Sequence, residues 1–172
     1  MRLFVAILFP EPVRKALMDT MAQMRAQGAH GNFTRPENLH LTLAFLGETG
    51  AEGCRAAMRA VDSVCGRAPF SLSLGGAGRF GALWWAGLQN SAPLAALARD
   101  AQAALRAEGF SLDRRPFQPH ITLARQVEAP VPLRLCVPRA SFSAERISLM
   151  RSDRINGVLR YAEIHAASFR GA

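Results

Sequence analysis

The chain alternates between two kinds of hydrophobic pattern. Leu3 to Phe9 is a short apolar run closed by Pro10, and it predicts a strand. From about Pro12 to Gln27 the period changes: Ala16, Leu17, Met21 and Met24 recur at helical spacing, with a proline in the first turn and Gly28 at the stop. Residues 38–47 alternate as a strand should. Thr49 and Glu52 have the spacing of a capping box, and the helix they open runs to about Cys65, with Cys54, Ala57, Met58 and Val61 on its apolar face.

The second half repeats this order. Phe70–Leu74 and Leu83–Leu88 read as strands around a Gly-rich turn at Gly75-Gly76-Ala77-Gly78. Ser91 caps a third helix whose stripe is Leu94, Leu97, Ala98, Ala101 and Leu105, and Gly109 ends it. A strand follows from about His120 to Val127. After a connection containing Pro130, Pro132 and Pro138, two more strands are expected near 140–150 and 158–169.

Strand, helix and strand thus occur twice at nearly one offset. Leu3 corresponds to Leu83, Pro12 to Pro93, and His40 to His120. The expected fold is α+β: residues 1–172 form a single bilobal domain with internal duplication. Its two pseudo-symmetric lobes would carry antiparallel-rich sheets facing a central groove, with helices outside.

Composition narrows the function. At 49% apolar and 20% charged, the 172 residues suit one globular domain rather than a disordered, fibrous or coiled-coil chain. No apolar run approaches a membrane span, and the N-terminal run reads as a strand rather than a signal peptide, so a cytoplasmic protein is expected. Cys54, Cys65 and Cys136 form no CxxC pair and are expected to be small core residues. The net charge is +8, and Lys15 is the one lysine. Arginine forks bind phosphate, so an anionic partner is indicated, RNA foremost. Scattered arginines also follow from coding bias, and charge alone does not decide the matter.

The duplicated strands carry one tetrad each: His40-Leu41-Thr42-Leu43 and His120-Ile121-Thr122-Leu123. Residues two apart share a strand face, so His40 and Thr42 should project together, as should His120 and Thr122. Leu39, Leu41, Leu43 and Phe45 should point the other way. Two imidazoles in one groove suit general acid–base chemistry near neutral pH, and two hydroxyls beside them can bind the oxygens of one phosphate. Neither tetrad contains a carboxylate and no metal-ligand spacing is present, so metal-free and cofactor-free phosphoryl chemistry is expected. His30 and His165 lack this context and are expected to be exposed or structural. Phe33, Phe80, Trp84 and Trp85 could stack on a base or simply pack in the core.

These motifs resemble the 2H phosphoesterases, which carry two His-x-Thr/Ser-x motifs. Within that group the chain looks like the bacterial RNA 2′,3′-cyclic phosphodiesterases, also called 2′-5′ RNA ligases. The resemblance rests on Arg2–Ile7, on Arg35–Gly47 around the first motif, on Pro119–Arg125 around the second, and on Ile147–Ser152. It implies hydrolysis of a ribose 2′,3′-cyclic phosphate to a 2′-phosphate, on RNA ends or a small cyclic nucleotide. A monomer is expected, since no surface helix shows a second apolar face. The resemblance further implies His40 as proton donor, His120 as proton acceptor, and Thr42 and Thr122 on the phosphate. Arg125 is a weaker phosphate candidate, since strict alternation would turn it toward the core. Phe33 stands where relatives often have tryptophan. Cleavage of 2′-5′ linkages, 2′-5′ ligation and opening of another cyclic sugar phosphate fit the same tetrads. A non-catalytic RNA-binding protein is the reading from another class.

Overall fold

The computed structural model describes residues 1–171. Its elements run β1 (Arg2–Leu8), α1 (Glu11–Ala26), β2 (His30–Phe33), a 3₁₀ turn (Pro36–Asn38), β3 (His40–Glu48), α2 (Ala51–Ser63), β4 (Phe70–Phe80) and β5 (Leu83–Leu88), then α3 (Ala92–Ala107), β6 (Ile121–Glu128), β7 (Ser141–Ala144), β8 (Arg146–Ile155) and β9 (Val158–Ser168). They form an α+β fold with two antiparallel sheets, ordered β3-β1-β8-β9 and β2-β6-β5-β4-β7. In each, the strand that begins at or just after the histidine (β3 from His40, β6 directly after His120) pairs with the strand that precedes a helix (β1 or β5).

Most of the core lies on the side of the sheets away from the histidines. Leu3, Val5 and Ile7 of β1 enter it with Leu41 and Leu43 of β3, and Ile121 and Leu123 of β6 join them. The intervening β1 residues, Phe4 and Ala6, build a smaller apolar cluster on the opposite face with Met150, Leu8 and Tyr161. Helix α3 packs against β3, and α1 against β6. No helix among the described residues is long and apolar enough to cross a membrane.

Several local expectations are corrected. The Gly-rich stretch 75–78 is not a turn but the second half of β4; the turn comes at Gly81, whose φ is +59°. Glycine is needed inside the strand because a Cβ on Gly78 would lie 2.4 Å from the Trp85 ring. The capping box does not form: Gly50 is the N-cap of α2, Thr49 donates its hydroxyl to the Gly47 carbonyl, and Glu52 pairs with Arg55. Residues 30–33 are a strand, β2, at the edge of the second sheet beside β6. Ser91 does cap α3, accepting the Leu94 N–H at 3.2 Å.

Cys54 and Cys65 are buried, whereas Cys136 is exposed. It lies on the Pro-rich connection, which runs along α1 without forming a strand. Gln23 and Gln27 supply what a neighbouring strand would have supplied: each side chain donates to a carbonyl, of Cys136 and Arg134 respectively, and accepts an N–H from the same residue. Its backbone is thereby satisfied without a ladder.

Candidate active site

The two tetrads hold their imidazoles in the same way. His40 Nδ1 lies 2.7 Å from the Asn38 carbonyl, and His120 Nδ1 lies 2.7 Å from the Gln118 carbonyl. A carbonyl only accepts, so each Nδ1 carries the proton and each Nε2 is the basic nitrogen that faces outward. His40 Nε2 accepts the Thr42 hydroxyl at 2.8 Å, which ties the first histidine and threonine together. Strands β3 and β6 approach each other across the two sheets, and the charge of His120 bears on His40.

Aromatic rings fix the imidazoles from the side. His40 sits between Phe4, 4.8 Å away, and Tyr161, whose ring meets it edge-on at 5.2 Å. His120 meets Phe80 edge-on at 5.2 Å, and Phe80 leans on Trp85 at 5.5 Å. Such contacts restrict ring rotation without covering Nε2. The sequence pattern points to neither Phe4 nor Tyr161. Phe4 lies within an apolar run, and Tyr161 is brought up by pairing of β8 with β1 on one side and β9 on the other.

The two sides differ in support. Asn38 is 4% exposed, and its amide donates to the Leu159 carbonyl at 3.0 Å, so the carbonyl that grips His40 is itself anchored to the start of β9. Gln118 is exposed. Burial holds the His40 imidazole below its ordinary pKa; the Asn38 carbonyl opposes this, and the nearby charges of Arg125 and His120 reinforce it.

Arg125 reaches the groove because β6 is bulged. Trp85 pairs with Thr122 and Trp84 with Ala124, so Leu123 is an extra residue. Leu123 and Ala124 both turn inward, and Arg125 emerges exposed, close enough for its charge to act on His40 and Tyr161. Alternation resumes on the other parity after a bulge. Strand β3 has the same feature: Ala6 pairs with Thr42 and Val5 with Ala44, skipping Leu43. Phe45 is therefore not a core residue, as strict alternation would make it; it is 65% exposed.

Among the other expected residues, Thr122 lies on β6 opposite Trp85, with its carbonyl accepting the Thr34 hydroxyl. Trp84 packs against the core, while Phe33 is half-buried beneath the Arg25 guanidinium, 4.0 Å from its ring centre. His30 is exposed on β2, and His165 pairs with Asp62 at 2.7 Å. Neither touches the groove histidines.

Comparisons with known proteins find relatives and solved structures over most of the chain. Relatives named RNA 2′,3′-cyclic phosphodiesterase include those of Escherichia coli, 32% identical over 95% of this chain and 93% of that one, and of Thermus thermophilus, 34% identical over 99% and 91%. A third, from Geobacillus stearothermophilus, is 33% identical over 98% of this chain, which spans 57% of that longer protein. The crystal structure of Escherichia coli LigT complexed with 3′-AMP superposes with a TM-score of 0.87 at 29% identity, covering 98% of this chain and 97% of that one. The MHV ns2 PDE domain, at 12% identity and a TM-score of 0.68, shares the fold. The model of the 2′-5′ RNA ligase superfamily matches residues 9–156. The chain belongs to that superfamily.

Proposed function

We propose that this protein opens a ribose 2′,3′-cyclic phosphate to a 2′-phosphate, with His40 as proton donor and His120 as proton acceptor. The observation that carries the reading is the matched clamp on the two imidazoles: both are gripped at Nδ1 and offer Nε2, on strands that face each other. In the reaction, water attacks phosphorus and loses a proton to His120 Nε2. The bond from phosphorus to the 3′-oxygen breaks, and that oxygen takes a proton from His40 Nε2. Once His40 Nε2 is protonated it no longer accepts the Thr42 hydroxyl, so Thr42 and Thr122 donate hydrogen bonds to the non-bridging oxygens, and Arg125 offsets the charge that grows there.

His40 must be protonated to act as donor, and its lowered pKa in the free protein works against this. A bound phosphate supplies the compensating negative charge, so the donor would acquire its proton along with the substrate. The equal offset of the tetrads, the bulges and the pairing strands supports descent of the single bilobal domain from one duplicated unit. One chain carries all the named side chains, so the reading requires only a monomer.

The test is turnover of a nucleoside 2′,3′-cyclic phosphate in EDTA, with the position of the product phosphate determined. His40→Ala and His120→Ala should each lower kcat roughly 10²- to 10⁴-fold in folded protein. Full activity in either variant would refute its role. A product of 2′-5′ cleavage or ligation alone would move the assignment to that sister activity, which uses the same groups. Binding of RNA without turnover would leave the chain a non-catalytic RNA-binding protein.

A further inference from the structure

We propose that an arginine-lined cavity between α3 and the segment 113–117 holds a backbone phosphodiester of the RNA strand whose terminus reacts in the groove. The proposal rests on the reading of the groove given above and extends it from a terminal nucleotide to a polynucleotide.

On α3, Arg99, Gln102 and Arg106 fall at steps of three and four residues and so form one ridge, on the side away from the buried stripe that includes Leu97, Ala101 and Leu105. Arg114, Arg115 and Phe117 close the cavity from the other side, around a volume of about 290 Å³. Four guanidiniums line it, and no acidic residue does.

The acids nearby are already engaged. The Asp113 carboxylate accepts from Arg115, and Asp100 pairs with Arg67 at 2.7 Å and more loosely with Arg99 at 3.5 Å. Arg106 donates to the Asp113 carbonyl at 3.1 Å. Arg114 makes no side-chain hydrogen bond or ion pair among the described residues. Arg99 and Arg115 thus have carboxylate partners, while Arg106 and Arg114 face the cavity without one; their like charges are unfavourable until an anion enters, and the guanidinium fork matches phosphate oxygens.

The cavity is joined to both histidine strands. Gln102 donates to the Leu43 carbonyl at 3.0 Å, at the bulge that follows Thr42. Phe117 precedes His120 by three residues, a reach of at most ~11 Å. A strand with its end between the imidazoles that leaves the groove past the Leu43 edge of β3 brings a neighbouring phosphate to these arginines. A second basic cavity, of about 710 Å³, includes Arg25, Phe33 and Arg35 in its lining, but Arg25 is stacked on Phe33 and Arg35 lies 3.6 Å from Glu37. Fewer free guanidiniums are offered there.

The experiment compares kcat/KM for a nucleoside 2′,3′-cyclic phosphate and for a short oligoribonucleotide ending in the same group. Wild type, Arg114→Ala and, as a charge control on α2, Arg55→Ala are assayed across a salt series. Arg114→Ala should raise KM for the oligonucleotide about tenfold, leave the mononucleotide unchanged, and flatten the log–log salt slope by ~0.7 for each phosphate that is no longer neutralised. Arg55→Ala should do none of this. Equal losses on both substrates, or no change on the oligonucleotide, would overturn the proposal. If wild type turns over neither substrate, the groove reading is what has failed. Fluorescence anisotropy with the 2′-phosphorylated oligonucleotide then tests the cavity separately: about tenfold weaker binding by Arg114→Ala supports it, and equal binding overturns it.

Discussion

Phe45 and Arg125 occupy matching positions on the two histidine strands. Each is the third residue after the threonine of its tetrad, and each is turned outward by a bulge that skips one leucine, Leu43 in β3 and Leu123 in β6. The two bulges do the same geometric work, but the groove receives a ring from one strand and a guanidinium from the other. The polarity of the site is thereby set by side-chain identity rather than by backbone.

Removing the guanidinium should be felt at His40. Because the Arg125 charge helps to hold the His40 pKa down, Arg125→Ala should raise it, and Arg125→Lys should change it less. Titration of the His40 ring proton by NMR reads this directly. A pKa that stays put, or falls, would mean that Arg125 does not face the imidazole.

The same depressed pKa gives a pH signature. If His40 is the donor, kcat/KM reports the free protein, and the lower of its two limbs should lie below the ordinary imidazole value of about 6.5. In the kcat profile, which reports the bound state, that limb should lie at higher pH because the substrate phosphate stabilises the imidazolium. Since the histidines interact, the apparent values belong to the pair. Coincident limbs would show that the substrate does not charge the donor.

Asn38 acts on His40 through the backbone. In Asn38→Ala the carbonyl that accepts from Nδ1 persists, but the amide no longer holds Leu159, whose carbonyl loses a buried partner. The expected cost is about 1–3 kcal/mol of stability. A fall in kcat with KM nearly unchanged would separate a positioning role from loss of fold. Asn38→Asp, unable to donate to that carbonyl, should not restore kcat, and restoration would remove the positioning account.

Gly78 carries the second aromatic bracket. A methyl there meets three atoms of the Trp85 ring within 3.0 Å, and Trp85 supports Phe80 against His120. Gly78→Ala should destabilise the fold by roughly 1–3 kcal/mol and shift tryptophan emission as the ring is displaced. Unchanged emission and an unchanged melting temperature would show that the ring is free to move aside.

Much of the fold is legible residue by residue. The helix stripes follow from period, and Ser91 and Gly109 mark the ends of α3 because they satisfy groups that a helix leaves open. The tetrads stand out because His and Thr two apart on a strand must share a face. β2 is not legible, because its four residues show no alternation and gain their ladder from β6, more than ninety residues away in the chain. The glycines of β4 read as a turn because the reason for them lies in an indole on the next strand.

From the sequence alone come the two His-x-Thr pairs, their equal offset and the sided strands that present them, since side-chain alternation is a local property of extended backbone. Tertiary structure alone decides the bulges that bring out Phe45 and Arg125, the rings of Phe4 and Tyr161 about His40, and the approach of one imidazole to the other. Each of those depends on register with a distant strand, and a register is fixed by the whole packed sheet rather than by any segment within it.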